Sequence, residues 1–376
     1  MRRRQYTWNF RPRARSKRAN PRFAGTEDDM NPLRRSLLKL LAAAGAAAVS
    51  PGPALADRIR ILPDAGSSAD PGLSGQTSPE LGRALGQLAL GPAATHGALA
   101  ALWLLGGSPK GAGPLEIATL DEARTRGALT VVERDQASVP ELIAENRGKT
   151  HVLLLAGEIL VGGKQNRVLR EDILLPPRSG PRNIAVYCVE QGRWNEGRKD
   201  FESRSSVVQP SVRSKVLRRA EQGRIWSDVA SASRELRAPS PTGSYQAVYD
   251  APEVRVHLEE ATRGLAGAAP TGAVGAAVFV GPSLVGVDAF HGDDLFTREW
   301  PKLLRAYALD AYRASPGGWD ETAARARVDG LLRGAARVEG TLRGSAGVGR
   351  LFEFALDKHR GAALLFEGRA VHLAIL

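Results

Sequence analysis

AAVFVGPSLVGVD, residues 276–288, sets one apolar run against another across Gly281-Pro282 and reads as a β-hairpin. Two further stretches share this build: HVLLLAGEILVGG at 151–163 and AALLFEGRAVHLAIL at 362–376. Each joins two apolar runs through a glycine-containing turn. A weak internal repeat or recurrent turn chemistry would both give the pattern. The helical stretches between them are unequal in length, which favours turn chemistry.

Working outward, the central block is rich in short β runs. VPELIAENR (139–147), NRVLREDILLP (166–176) and NIAVYCVE (183–190) are separated by Gly, Pro or polar turns. The strand 183–189 is apolar on both faces, with Ile184, Val186 and Cys188 on one and Ala185, Tyr187 and Val189 on the other. A strand of that kind is covered from two sides. Upstream, LAALWLLGG (99–107) reads as a strand, and Thr119 with Glu122 forms a capping box for the short helix TLDEARTRG (119–127) leading into LTVVE (129–133). Helices are expected over 211–222, 227–235, 252–263 and 321–335. The clearest spans 297–314, where Trp300, Leu303, Leu304, Tyr307, Ala308 and Ala311 repeat at three and four residues. The expected fold is therefore α+β, with hairpin-built antiparallel or mixed sheets packed with helices. A single domain is expected over 92–376, preceded by a polar linker at 57–91 that includes DAGSSADPGLSGQTSPE; APSPTG (238–243) is the one internal stretch resembling a boundary.

The front of the chain reads differently. Residues 30–56, MNPLRRSLLKLLAAAGAAAVSPGPALA, have a basic start, an apolar run too short to span a bilayer, and a small-residue cleavage pattern ending at Ala56. Arg34-Arg35-Ser36-Leu37-Leu38-Lys39 resembles a twin-arginine signal, which implies the twin-arginine translocase as partner during export. A mature chain from Asp57 in the periplasm or outside the cell follows. No cysteine stands at the end of the apolar run, so a lipoprotein anchor is not expected. The arginine-rich residues 1–29 read as the product of an early start codon, because Met30 stands where a signal would begin, with a long, disordered basic leader as the alternative. The whole chain has 52 basic and 40 acidic side chains; residues 1–56 hold 12 and 3 of them, which leaves 40 and 37 over 57–376. The excess positive charge is mostly leader, so nucleic-acid binding is not expected. No second apolar stretch reaches spanning length, so no membrane span is expected in the mature part. Cys188 is the sole cysteine and forms no internal disulfide.

Two polar clusters carry candidate chemistry. Gly162-Gly163-Lys164-Gln165-Asn166-Arg167 follows Glu158 along one strand, and its lysine and arginine would clamp an anion or polarise a carbonyl. It lacks the spacing and hydroxyl of a phosphate loop. Cys188-Val189-Glu190-Gln191-Gly192-Arg193-Trp194 leaves a strand end; Glu190 would act as a base or orient Arg193, and Trp194 would stack on a planar ligand. Asp288, after the LVGV strand, lies at the corresponding end of another hairpin, and Asp294 reads as the cap of the long helix or as one ligand of a divalent ion, with the cap favoured. The six histidines, including His372 within an apolar strand, form no metal pattern, and the residues specify no cofactor. Three readings stand. In the first, the two clusters line a cleft for a small polar or anionic ligand, with Glu158, Gln165, Asn166, Gln191, Arg193, Trp194 and Asp288 contacting it. In the second, Glu190 is the general base of a hydrolase or transferase, with Lys164 and Arg167 stabilising an anion. In the third, the clusters serve structure or interaction.

GEILVGGKQNRV (157–168), CVEQGRW (188–194), PTG (241–243), VGVDAF (285–290) and WPKLLRAYALDA (300–311) resemble the ARG-and-rhodanese-phosphatase-associated protein family. THGALAALWLLGG (95–107) and VHLAIL (371–376) extend the resemblance over nearly everything from about residue 92 onward. It implies shared importance for Glu158, Lys164, Gln165, Asn166, Arg167, Cys188, Glu190, Gln191, Arg193 and Trp194, all retained. Ile159 and Gly163 depart from the acidic and alanine residues common there, and the missing second acid weakens any paired-carboxylate scheme using Glu158.

Overall fold

Strands apolar on both faces need cover on both sides, and that requirement organises the chain around three sheets. The computed structural model describes residues 73–106, 115–134, 140–194 and 198–376. The signal stretch 30–56 and the leader 1–29 lie outside the described residues. The fold is α+β, with antiparallel and mixed sheets.

The largest sheet has nine strands, all antiparallel. From one edge they run Leu73–Gln76, Gly340–Gly344, Arg350–Leu356, His359–Phe366, Arg369–Ile375, Ser283–Phe290, Ala273–Val280, Leu99–Leu105 and Ala89–His96. Side chains alternate across it. Ala101, Trp103, Ala276, Val278, Leu364 and Val371 face a core shared with the long helix Asp293–Asp310. Leu102, Leu104, Phe279, Phe352 and Leu373 face the opposite core, against the helices Pro79–Gly86 and Glu321–Ala335. The expected stripe of the long helix all enters the first core, where Trp300 meets Trp103 edge-on with ring centroids 5.2 Å apart.

A six-stranded sheet runs Phe201–Val207, Glu158–Gly162, Arg167–Leu169, Gly180–Cys188, Glu141–Asn146, Leu129–Val132. A three-stranded sheet runs Ile173–Leu175, His151–Leu154, Ile117–Thr119, its last pair parallel. The two share a core with the helix Leu120–Thr125, which keeps the expected capping box.

Two of the three expected hairpins form: 273–290 and 359–375. The third does not. His151–Leu154 pairs with Ile117–Thr119 and Ile173–Leu175, whereas Glu158–Gly162 pairs with Phe201–Val207 and Arg167–Leu169. The turn between them passes the chain from one sheet to another. Gly157 at φ +93° makes the turn, and a side chain there would strike the Arg213 stem at 2.9 Å.

Other boundaries shift for identifiable reasons. The described part of the stretch read as a linker holds a strand, a helix and the start of another strand. Ser78 caps that helix by accepting from Leu81 N–H, and Leu81 and Leu85 bury its apolar face. The long helix begins at Asp293, not 297, and its N-cap is Gly292, so Asp294 is not the cap. Asp294 lies in the first turn, where negative charge suits the helix dipole, and pairs with Arg298 at 2.7 Å.

Candidate functional site

The strand Glu158–Gly162 ends in the Gly162-Gly163 turn that opens the GGKQNR loop. Gly163 sits at φ +50°, and an added Cβ would lie 2.2 Å from the Phe201 ring. The turn therefore demands glycine for space as well as for conformation. Beside it, Cys188 ends its strand and releases the VEQGRW loop. The two loops bond through backbone and side chain: Val189 N–H donates to Asn166 O (3.0 Å) and Gln165 Nε2 to Glu190 O (2.9 Å).

Glu190 is the hub. Its Oε2 accepts from Asn166 N–H (3.0 Å) and Arg193 Nε (2.8 Å), and its Oε1 accepts from Thr242 Oγ1 (2.7 Å). Thr242 belongs to the APSPTG stretch, tied down again where Gly192 N–H donates to Thr242 O (2.8 Å). Burial works to raise the Glu190 pKa, but Arg193, Thr242 and the Asn166 N–H outweigh it and hold the carboxyl below its usual range. Arg193 is equally committed. Nη1 donates to Gly163 O and Nη2 to Gly162 O and Asn166 Oδ1, each at 3.0 Å. Asn166 Nδ2 donates to Ser244 Oγ (3.0 Å), closing the frame.

An open depression of 350 Å³ lies over this frame. Asn166, Glu190 and Arg193 line it, with Arg198, Arg204, Gln246 and Asp250 around them. Arg198 pairs with Glu202, and Arg204 lies 3.6 Å from Asp250. Both arginines are over a third exposed, and ion pairs this wet are worth little, so their guanidiniums are exchangeable.

The other expected residues lie elsewhere. Arg167 turns inward, fully buried, donating to Gln165 O (3.1 Å) and lying 3.6 Å from Glu133. Lys164 Nζ sits 4.7 Å above the Trp194 ring, whose exposed face forms the loop's outer edge. Gln191 is exposed, and its carbonyl accepts from Gln165. Glu158 and Asp288 lie in two other, buried networks.

Neither network is evident from the spacing of its members in the sequence. Lys302, on the long helix, donates to Glu158 Oε1 and to Asp121 Oδ2 (3.1 Å) and sits 2.8 Å from Glu299 Oε2. Glu158 Oε2 also accepts from Leu155 N–H (2.7 Å). Arg213 Nη1 donates to both Asp288 oxygens (2.8 and 2.9 Å), and its Nε to Ala156 O (2.8 Å). Tyr307 donates to Asp288 Oδ2 (2.5 Å). His372 bridges Asp172 (2.6 Å) and Asp288 (3.0 Å), so both ring nitrogens donate to carboxylates. Burial opposes that charge, but the two carboxylates push the His372 pKa up to about 9. Burial likewise opposes the Asp288 charge; Arg213, His372 and Tyr307 prevail and hold it well below the usual carboxylate range. The one sequence signal was Glu299 and Lys302, charges three residues apart beside an apolar helical stripe.

Glu158 gives a pH prediction. Burial pushes its pKa up to about 7 despite Lys302, with Glu299 and Asp121 adding to the shift. A carboxyl raised above its unfolded value contributes stability below pH 4.5 and loses it as pH rises through about 7. Glu158→Gln should therefore flatten the fall in unfolding free energy between about pH 5 and about pH 8 by roughly 2–3 kcal/mol. Urea titrations at both pH values measure it; parallel profiles for variant and wild type would refute the assignment.

The chain matches the family model of the ARG and Rhodanese-Phosphatase-superfamily-associated Protein domain over residues 87–376. No curated protein and no solved structure matches it.

Proposed function

The chain belongs to the ARG and Rhodanese-Phosphatase-superfamily-associated Protein family, and on that footing we propose that it is an exported domain binding a small polar or anionic ligand. The depression over the Glu190–Arg193 frame is the binding site. One observation carries this reading: exchangeable Arg198 and Arg204 and the polar Gln246 surround an open space over a rigid, hydrogen-bonded floor. The two loops and Thr242 pre-organise the floor, so ordering costs little on binding. Proton-transfer chemistry at Glu190 is the weaker reading, because a carboxylate with both oxygens engaged and a depressed pKa is a poor base. A purely structural duty is favoured by one fact, the saturation of Arg193.

A thermal-shift screen of small anions and sugars separates binding from structure. A true ligand of the depression should raise Tm in the wild type, with its affinity reduced about tenfold in Arg198→Gln and Arg204→Gln. Neither variant should move the ligand-free Tm by more than about 2 °C. Glu190→Gln should lower the ligand-free Tm by several degrees, because it leaves Arg193 with a weaker partner. Hits that persist unchanged in both arginine variants would place binding elsewhere.

Export by the twin-arginine translocase to the periplasm or beyond belongs to the same reading, supported by the signal-like residues 30–56. The intact mass of exported protein should correspond to a chain beginning at Asp57. A mass that retains Arg34 and Arg35 would refute cleavage.

A further inference from the structure

Far from the depression in sequence, a second groove of 480 Å³ runs between the helix Glu321–Ala335 and the turn joining the strands Arg350–Leu356 and His359–Phe366. Its apolar lining is Leu284, Leu331 and Leu356. Arg327 and Lys358 also line it, and among the described residues neither side chain has an ion-pair or hydrogen-bond partner. The contrast along the helix is informative. Arg325 pairs with Glu321 (2.8 Å) and Arg333 with Asp329 at i,i+4 spacing, while Ala323 and Leu331 stand at the matching positions for Arg327. His359 lines the same space, and its ring has no hydrogen-bond partner among the described residues. Burial first, and Lys358 and Arg327 after it, lower the His359 pKa, so the ring is a neutral donor or acceptor near pH 7. Asp357 is the one carboxylate lining the groove.

Gly330 keeps one wall open. A Cβ built there meets nothing within 4 Å, so the residue leaves room that a side chain would fill. Glycine in a helix interior costs about 1 kcal/mol relative to alanine, and the packing here does not require it.

We propose that this groove binds a small amphiphilic anion, its charged head between Arg327 and Lys358 and its apolar part on Leu284, Leu331 and Leu356. The chemistry sets the class. Two exposed cations without ion-pair partners outnumber the single carboxylate of Asp357, and with the imidazole they favour a carboxylate or phosphate. The apolar lining and the volume exceed what an inorganic anion fills.

The test is calorimetric and NMR titration of the purified protein with octanoate, octyl phosphate, octylamine and inorganic phosphate. Octanoate or octyl phosphate should saturate with a Kd below about 1 mM, and octylamine and phosphate should bind at least about tenfold more weakly. Which of the two amphiphiles binds tighter assigns the head group. Gly330→Phe should abolish binding by filling the groove, with Tm retained. Arg327→Gln and Lys358→Gln should each weaken it about fivefold, while Arg204→Gln leaves it unchanged and so separates this groove from the depression. Absence of saturation by either amphiphile, equal binding of octylamine, or full binding in Gly330→Phe would overturn the proposal. So would a Gly330→Phe variant that turns a dimer into a monomer without affecting anion binding, since the groove would then seat a second copy of the chain.

Discussion

Arg213→Met should destabilise the fold by about 3–5 kcal/mol, a loss of roughly 10 °C in Tm. Arg213 reaches from the helix Pro210–Leu217 into a site where it is 2% exposed and its partner Asp288 is 1% exposed. Removing the guanidinium leaves a buried carboxylate with only Tyr307 and His372, and leaves Ala156 O without its donor. The loss comes mainly from that uncompensated charge, not from the worth of the pair itself. Exchanging both members, Arg213→Met with Asp288→Leu, should therefore recover part of the stability lost in the single variant. Urea denaturation with an unchanged m-value is the measurement. A single-variant loss under about 1 kcal/mol would mean that Asp288 is satisfied without Arg213.

The second large effect belongs to Lys302→Met. One ammonium holds Glu158, Glu299 and Asp121, and two of those carboxylates are essentially inaccessible to water. Without it they repel one another in a medium that screens poorly, and the expected cost is again about 3–5 kcal/mol near pH 8. The penalty should shrink toward about pH 5, because the folded variant can take up a proton on Glu158. A cost independent of pH would show that the loss is one of packing. Adding Glu158→Gln to Lys302→Met should relieve the pH 8 penalty in part.

Most secondary structure was legible because alternation and capping act locally. Thr119 and Glu122 bond each other within one turn of helix, so their spacing alone locates the helix start. The hairpin expected at 151–163 failed for a non-local reason. Gly157 permits a turn, but which strands then pair is decided by distant partners, Ile117–Thr119 on one side and Phe201–Val207 on the other. The helix at Pro79–Gly86 was hidden by its polar, proline-bearing surroundings, although Ser78 and Pro79 form an ordinary helix start. At the candidate site, the meeting of the GGKQNR and VEQGRW stretches followed from their places at strand ends. The inward turn of Arg167 did not, since only the fold brings Glu133 beneath it. The Lys302 and Arg213 networks draw their members from positions up to 200 residues apart, a separation no periodicity records.

The position of Arg369–Ile375 within the nine-stranded sheet decides how the sheet closes. Among the described residues, that strand alone links the portion built on residues 340–366 to the portion built on 273–290 and 89–105 in the hydrogen-bonding order. It also carries His372 to Asp172 and Asp288. Without that strand the sheet falls into two half-sheets with open edges facing each other. Sheet closure therefore waits on this one strand, and a substitution that weakens its pairing opens two edges at once to another chain.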